Sequence, residues 1–368
     1  MSKIKITILL TFLILLILEV ASFYLTTYTP FFKKIEYQRL RGALSGSGEG
    51  GLGSALSKYL ATPYLGVTLN PRYKNEDGIK IHNDLGYRGK EYSLTKPDHV
   101  YRIICLGGST TYGFNVNNNE TYPYQLERKL NRLIKNKELH LNMYDSIQVI
   151  NAGIEGANMF LVLSSYMYKY RQFKPDMIIV HEGINDCYAY MGEIYSPDYT
   201  HLRTNITELK EPSYFVKKLL RSNLLSLFII GFNYQGAFMI NKIVDDKKYP
   251  QWYICKKNNC DYYLKEHNAF YQNSVMLNSI AKNDSCNILY FPMIVNPVEF
   301  VNPSNAAFKN GILKHSEFWK ELSNNRDVKF ADISATAIDS KYFLDGTHLN
   351  GAGNEIKANL LVDKMYIK

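Results

Sequence analysis

The sequence predicts an α/β fold built on a parallel sheet, and two observations carry that reading. From residue 99 onward, short apolar β-prone runs alternate with longer helical patterns, which is the signature of βαβ crossovers. The runs break into glycine, asparagine or aspartate turns that carry hydroxyl, amide and imidazole groups. An open α/β sheet gathers such groups at the C-terminal ends of its strands. Five strands are expected, with a long interruption after the third.

The chain opens with Lys3 and Lys5 ahead of an apolar run over residues 6–18. A single acidic residue, Glu19, interrupts it, and residues 20–25 continue it. About 20 such residues suffice for a helix to cross a bilayer. A retained signal-anchor helix is the favoured reading. A cleaved signal peptide is the second, because Val20-Ala21-Ser22 offers small residues near the end of the run. A buried helix of a soluble domain is the third. The first two place the remainder outside the cytoplasm, although Lys33, Lys34, Arg39 and Arg41 weaken the charge asymmetry that would orient the helix. Residues 1–28 are thus anchor or signal, and 29–98 linker and extended lead-in. The glycine- and serine-rich stretch 45–53 reads as a flexible tether. Residues 62–98 read as short strands or extended chain, with Arg88 a solvated turn residue by default and a substrate clamp as the alternative.

The α/β domain begins after that and runs over 99–368. Strand one is expected at 103–106, followed by Gly107-Gly108-Ser109-Thr110-Thr111 and a helix over 123–135. Strand two is expected at 147–151, then Ala152-Gly153-Ile154-Glu155-Gly156 and a helical stretch to 173. Strand three is expected at 177–180 and leads into Gly183-Ile184-Asn185-Asp186. Residues 188–264 then show no clean alternation, and a connection of that length reads as an insertion or cap. It contains a helical apolar segment, 215–232, whose strongly apolar run 224–230 is too short to span a bilayer; core packing is favoured there over membrane-surface contact. The sheet resumes with a helix at 269–282, strand four at 288–291, a helix at 306–322 and strand five at 328–333. Asp345-Gly346-Thr347-His348 precedes a terminal helix over 353–365.

Composition narrows the partners. The chain has 368 residues, 43 basic and 34 acidic, for a net charge of +9. The basic residues are scattered, so the clustered footprint that nucleic-acid binding needs is absent. The five cysteines fit no paired zinc pattern. Cys105, Cys187 and Cys286 read as packed thiols, and Cys255 with Cys260 as a small disulfide loop if the domain lies outside the cytoplasm.

Four pieces should therefore converge at one sheet edge, and each meets a need of acyl transfer. Ser109 is a nucleophile once a base takes its proton. His348 is that base, and Asp345 orients it. The tetrahedral intermediate needs preorganised donors, which the N–H of Ser109, the N–H of Gly153 and the side-chain amide of Asn185 can supply.

This set resembles the four blocks of the SGNH (GDSL-type) hydrolases: the serine of Gly-Gly-Ser, the glycine of Asn-Ala-Gly, the asparagine of Gly-Ile-Asn-Asp and the histidine of Asp-Gly-Thr-His. The resemblance covers residue 101 to the C-terminus apart from the insertion, and Gly-Gly-Ser suits the membrane-anchored bacterial branch. It implies a flavodoxin-like three-layer α/β/α sandwich with a five-stranded parallel sheet. It also implies a serine esterase or lipase mechanism without metal or cofactor. Ser109, Asp345 and His348 would be the triad, and Ser109, Gly153 and Asn185 the oxyanion hole. One departure is Gly108, where the better-known pattern has aspartate before the serine. Asp186 and His181 are expected to be structural, whereas Glu155 and Glu182 are weaker candidates for touching substrate.

The expected function is a membrane-tethered extracytoplasmic esterase that removes an acyl group, acetyl among the candidates, from a carbohydrate, lipid or cell-envelope substrate. An acyltransferase with the same triad and a non-catalytic envelope scaffold are the rivals.

Overall fold

The computed structural model describes residues 3–29, 58–62, 65–75, 77–141, 143–190, 219, 221–232, 269–299, 306–325, 328–333 and 336–365. The tether at 45–53, most of the insertion, and Cys255 with Cys260 lie outside them. The chain forms two compact units, Met1–Ala61 with Arg203–Tyr249, and Thr62–Leu202 with Pro250–Lys368.

The first unit contains α1, Lys3–Tyr28, whose side chains are apolar on almost every face and mostly exposed.

The second unit holds the sheet. Strand β1, Val100–Gly107, is buried throughout. It leads through Gly108 into a single-turn helix α2, Ser109–Tyr112. Helix α3, Tyr122–Lys135, carries a proline in its first turn, where the missing N–H costs nothing. Strand β2, Ser146–Asn151, is followed by α4, Met159–Tyr168. The Asn158 side chain accepts from the Leu161 N–H at 3.0 Å and so caps α4. Strand β3, Met177–His181, runs into α5, Ile184–Tyr190, a helix that the sequence pattern did not predict. Within the insertion, α6, Asn223–Phe232, belongs to the first unit. The sheet resumes through α7, Ala269–Asn283, β4, Asn287–Tyr290, α8, Ala306–Asn325, β5, Lys329–Phe330, and α9, Gly351–Lys364.

All four strand pairings of the five-stranded sheet are parallel, and its order is β2-β1-β3-β4-β5. That is the flavodoxin-like order, whose switch point lies between β1 and β3. Strand β5 is much shorter than the 328–333 expected, because only Lys329 and Phe330 pair with β4, opposite Leu289 and Tyr290. The last helix starts two residues early, since Asn350 accepts from the Gly353 N–H at 2.9 Å and caps it there.

Alternation along the strands makes two cores. Ile104, Leu106, Ile150, Ile178, Val180, Ile288 and Tyr290 face Met159, Tyr166, Phe270, Leu277 and Trp319. Ile103, Cys105, Val149, Ile179 and Leu289 face Tyr122, Leu126, Leu130, Ala358 and Leu361. Successive strand residues point to opposite faces, so α4, α7 and α8 cover one side and α3 and α9 the other. Burying each large apolar side chain contributes about 1.5–3 kcal/mol. These two layers therefore fix where β1 and β3 end, which is where the polar turns lie.

Candidate active site

Ser109 is the first residue of α2, immediately after β1 and Gly108. An N–H in the first turn of a helix has no intrahelical acceptor. The carbonyl end of the turn is occupied instead. Arg88 is buried, and its guanidinium donates to the carbonyls of Tyr112 at 3.0 Å and Gly113 at 2.5 Å, to that of Val116, and to the Asn118 side chain at 2.8 Å. It also lies over the Tyr112 ring, 4.5 Å from its centroid. Arg88 is thus neither solvated nor a free clamp for substrate. Lys357 of α9 approaches from below. It is fully buried, donates to the Thr110 carbonyl at 3.3 Å and lies 4.1 Å from the centroid of Tyr122. Burial holds its amine well below the usual lysine range.

His348 reaches Ser109 from the loop before α9. Its Nε2 lies 2.7 Å from Ser109 Oγ, and its Nδ1 lies 2.7 Å from Asp345 Oδ2. With Nδ1–H donating to the carboxylate, Nε2 is left to accept the serine hydroxyl proton. The other carboxylate oxygen of Asp345 accepts from the N–H groups of Thr347 at 2.9 Å and His348 at 2.8 Å. Burial works upward on Asp345, but the His348 ring and those two N–H groups outweigh it and bring the carboxyl down to about 2. The loop is closed on itself, because Leu344 donates to the His348 carbonyl at 2.7 Å and Asn296 donates to Gly346 at 2.8 Å. Phe114 sets its ring 4.8 Å from the imidazole.

Asn185 opens α5 beside this pair. Its Nδ2 donates one hydrogen to the Ala157 carbonyl at 2.7 Å, which fixes the amide and leaves the second hydrogen without an acceptor among the described residues. Asp186 is buried and accepts from the Met159 N–H at 2.9 Å, tying α5 to α4. His181 is packed inside, with Nδ1 2.9 Å from the Phe291 carbonyl. Burial keeps its ring well below the usual histidine range. Both residues are structural, as the sequence suggested.

Two further expectations change. Gly153 was expected to donate to the oxyanion, but its N–H already donates to Asn151 Oδ1 at 3.1 Å. A Cβ there would stand 2.2 Å from the Tyr112 nitrogen, so the glycine serves close packing of β2's turn on α2. Gly156, three residues later in the same turn, is exposed, and its N–H makes no hydrogen bond with the described residues. Glu182 was weighed as a substrate contact, but it is buried. Its Oε1 accepts from the N–H groups of Gly183 at 2.9 Å and Asn185 at 3.3 Å, and the carboxylate also receives the Gly108 N–H. Burial first, and then the charge of Asp186, push its carboxyl up to about 8 against those three donors. Sequence reasoning missed His315 altogether. Its Nδ1 lies 2.8 Å from the Gly183 carbonyl and its ring stacks on Phe270 at 3.9 Å, and burial lowers it to about 3.

The model of the GDSL-like lipase/acylhydrolase family matches residues 103–361. The chain belongs to that family. This SGNH-type ester hydrolase has no match among curated protein sequences. Solved structures similar to it include a putative lipolytic protein of the G-D-S-L family from Desulfitobacterium hafniense DCB-2, with 11% identity, 72% of this chain and 99% of that chain covered, and a TM-score of 0.40. TesA shows 11% identity, 72% and 98% coverage and a TM-score of 0.41. A catalytic mutant of Axe2, an acetylxylan esterase from Geobacillus stearothermophilus, shows 12% identity, 73% and 95% coverage and a TM-score of 0.42. The SGNH hydrolase carries its blocks here with glycine before the serine.

Proposed function

We propose that the protein is a membrane-tethered serine esterase that removes acyl groups, acetyl among them, from a carbohydrate or cell-envelope substrate outside the cytoplasm. The observation that carries the proposal is the unbroken chain from Ser109 Oγ through His348 to Asp345, two contacts of 2.7 Å each.

In this reading His348 Nε2 takes the Ser109 proton as Oγ bonds to the ester carbonyl carbon. The carbonyl oxygen becomes an oxyanion, met by the Ser109 N–H and the free hydrogen of Asn185 Nδ2. A third donor comes from the turn after β2, and the open N–H of Gly156 suits it better than that of Gly153. Each such donor is worth about 3–4 kcal/mol of barrier. Collapse breaks the ester bond, and the leaving alcohol takes the proton from His348. Water then attacks the acyl-serine by the same steps, releasing the acid and restoring Ser109. Asp345 stays a carboxylate throughout and holds the imidazole in the tautomer required.

Membrane tethering is supported by α1, which is long and apolar enough to cross a bilayer. Attachment there favours a substrate at the cell surface. Phe114 beside His348 offers an apolar face that suits a sugar ring or a short acyl group. Residues 1–28 would be the anchor, 29–98 the tether and lead-in, and 99–368 the hydrolase domain.

The test is hydrolysis of p-nitrophenyl acetate by the full chain. Ser109→Ala is expected to abolish turnover with the fold intact, and a fluorophosphonate probe is expected to label Ser109. Unchanged turnover in Ser109→Ala would refute the mechanism. A product in which the acyl group resides on a glycan hydroxyl instead of water would make the enzyme an acyltransferase.

A further inference from the structure

Glu19 is an acidic residue in the middle of an apolar helix, and its partners are unusual. Its Oε2 accepts from the Ser222 hydroxyl at 2.5 Å and from the Leu224 N–H at 3.1 Å. Its Oε1 accepts from the Asn223 N–H at 2.6 Å and from the Asn223 side-chain amide at 2.9 Å. The Asn223 and Leu224 N–H groups open α6 and have no acceptor within the helix, and a negative charge is favoured at that end. The carboxylate therefore caps a helix that lies about 200 residues away in the chain.

The rest of the contact agrees. Ser22 and Thr26 follow Glu19 at three and seven residues, on the same face of α1, and they are its buried residues. Ser226 of α6 is fully buried as well. Small side chains at these positions let two helices approach closely. Elsewhere both helices turn apolar side chains outward, Ile14, Ile17 and Phe23 from α1 and Leu225 and Phe228 from α6.

We propose that α1 is retained on the mature protein and that α6 lies beside it within the bilayer, as a second, short membrane-embedded segment carried by the insertion. A cleaved signal leaves no helix in the mature chain built to receive it, whereas the start of α6 receives Glu19. The occupant of the outward faces is lipid hydrocarbon, because those faces continue the surface that α1 presents. A carboxylate is tolerated at that depth only when it is paired, and four donors from Ser222 and the start of α6 pair it. Ten residues of helix reach about 15 Å, half the roughly 30 Å of a hydrocarbon core, so α6 enters without crossing. The proposal rests on the reading of α1 as a membrane helix.

The experiment uses full-length protein extracted from membranes and reconstituted in phosphatidylcholine/phosphatidylglycerol vesicles. Intact mass is expected to include residues 1–28. A carbene photolabel dissolved in the lipid is expected to mark peptides from both α1 and α6. Glu19→Leu makes α1 more apolar, so α1 labelling should persist, while labelling of α6 should fall about tenfold with the loss of its charge-assisted hydrogen bonds. Glu19→Gln, which keeps an acceptor oxygen, should fall between. A mature chain that begins beyond residue 19, an unlabelled α6 in the wild type, or equal α6 labelling in Glu19→Leu would each overturn the proposal. Turnover of p-nitrophenyl acetate, read in the same vesicles, should not change in Glu19→Leu, so a failure here is distinct from a failure of the esterase reading.

Discussion

The carboxylate of Glu182 fills the space into which a side chain at position 108 would grow: a Cβ on Gly108 would stand 2.5 Å from Glu182 Oε2. The better-known form of this family places aspartate before the serine. In this chain the acidic group at that spot comes instead from the end of β3, and glycine at 108 makes room for it.

Gly108→Asp should therefore fail where the family pattern would suggest it could succeed. The new Cβ also meets Asn185 Nδ2 at 2.6 Å, so the serine turn and the amide are pushed apart. A displacement of about 1 Å in such a site costs about a hundredfold in rate. Steady-state kinetics on a soluble ester measures it, and wild-type kcat in Gly108→Asp would contradict the packing argument.

Glu182 also makes a prediction about pH. Its folded carboxyl is raised from 4.5 to about 8. Between those values the unfolded chain has released a proton that the folded chain keeps, so stability falls as pH rises across that window and levels off above it. Glutamine cannot titrate. Glu182→Gln should remove this component, which a series of melting temperatures from pH 4 to pH 9 resolves. A slope identical to wild type would show that the group carries no such linkage.

Asp345→Asn should lower kcat by about 10⁴-fold with little change in KM, because the imidazole loses the acceptor that fixes its tautomer. The folded carboxyl is depressed to about 2, so its stabilising effect is complete above the unfolded value of about 3.9 and is lost only as pH falls toward 2. Steady-state kinetics of Asp345→Asn on a soluble ester measures this, and a wild-type kcat would remove Asp345 from the triad.

Asn185→Ala should reduce kcat by about 10²- to 10³-fold while KM moves little, as expected for a donor used in the transition state. Single-turnover kinetics distinguishes this from a binding defect. A rise in KM at constant kcat would instead make Asn185 a substrate-binding residue.

Much of the architecture could be read from the chain because its signals are local. The β-prone runs at 103–106 and 177–180 sit inside β1 and β3, and Gly-Gly-Ser, Gly-x-Asn-Asp and Asp-x-x-His each place a reactive group next to a strand or helix end. The groups that were missed or misread are those whose surroundings come from distant chain. Arg88 looks like a solvated turn residue until α2 covers it. Lys357 occupies a helix position like any surface lysine, yet it ends beneath Thr110. Gly153 and Gly156 lie in one turn, and only the fold decides which N–H Asn151 consumes. Strand β5 was overextended because the apolar pattern at 328–333 does not reveal how few of those residues pair with β4.

The hold of Arg88 and Lys357 on the carbonyls of Thr110, Tyr112 and Gly113 has a consequence for evolution of the enzyme. The Arg88 guanidinium and the Lys357 amine orient the peptide dipoles behind the nucleophile before any ester arrives, so no rearrangement is required when charge develops. Loosening either should slow every ester alike, whatever its acyl chain. Changes in surface loops can then retune selectivity while the electrical gradient over the serine is inherited unchanged.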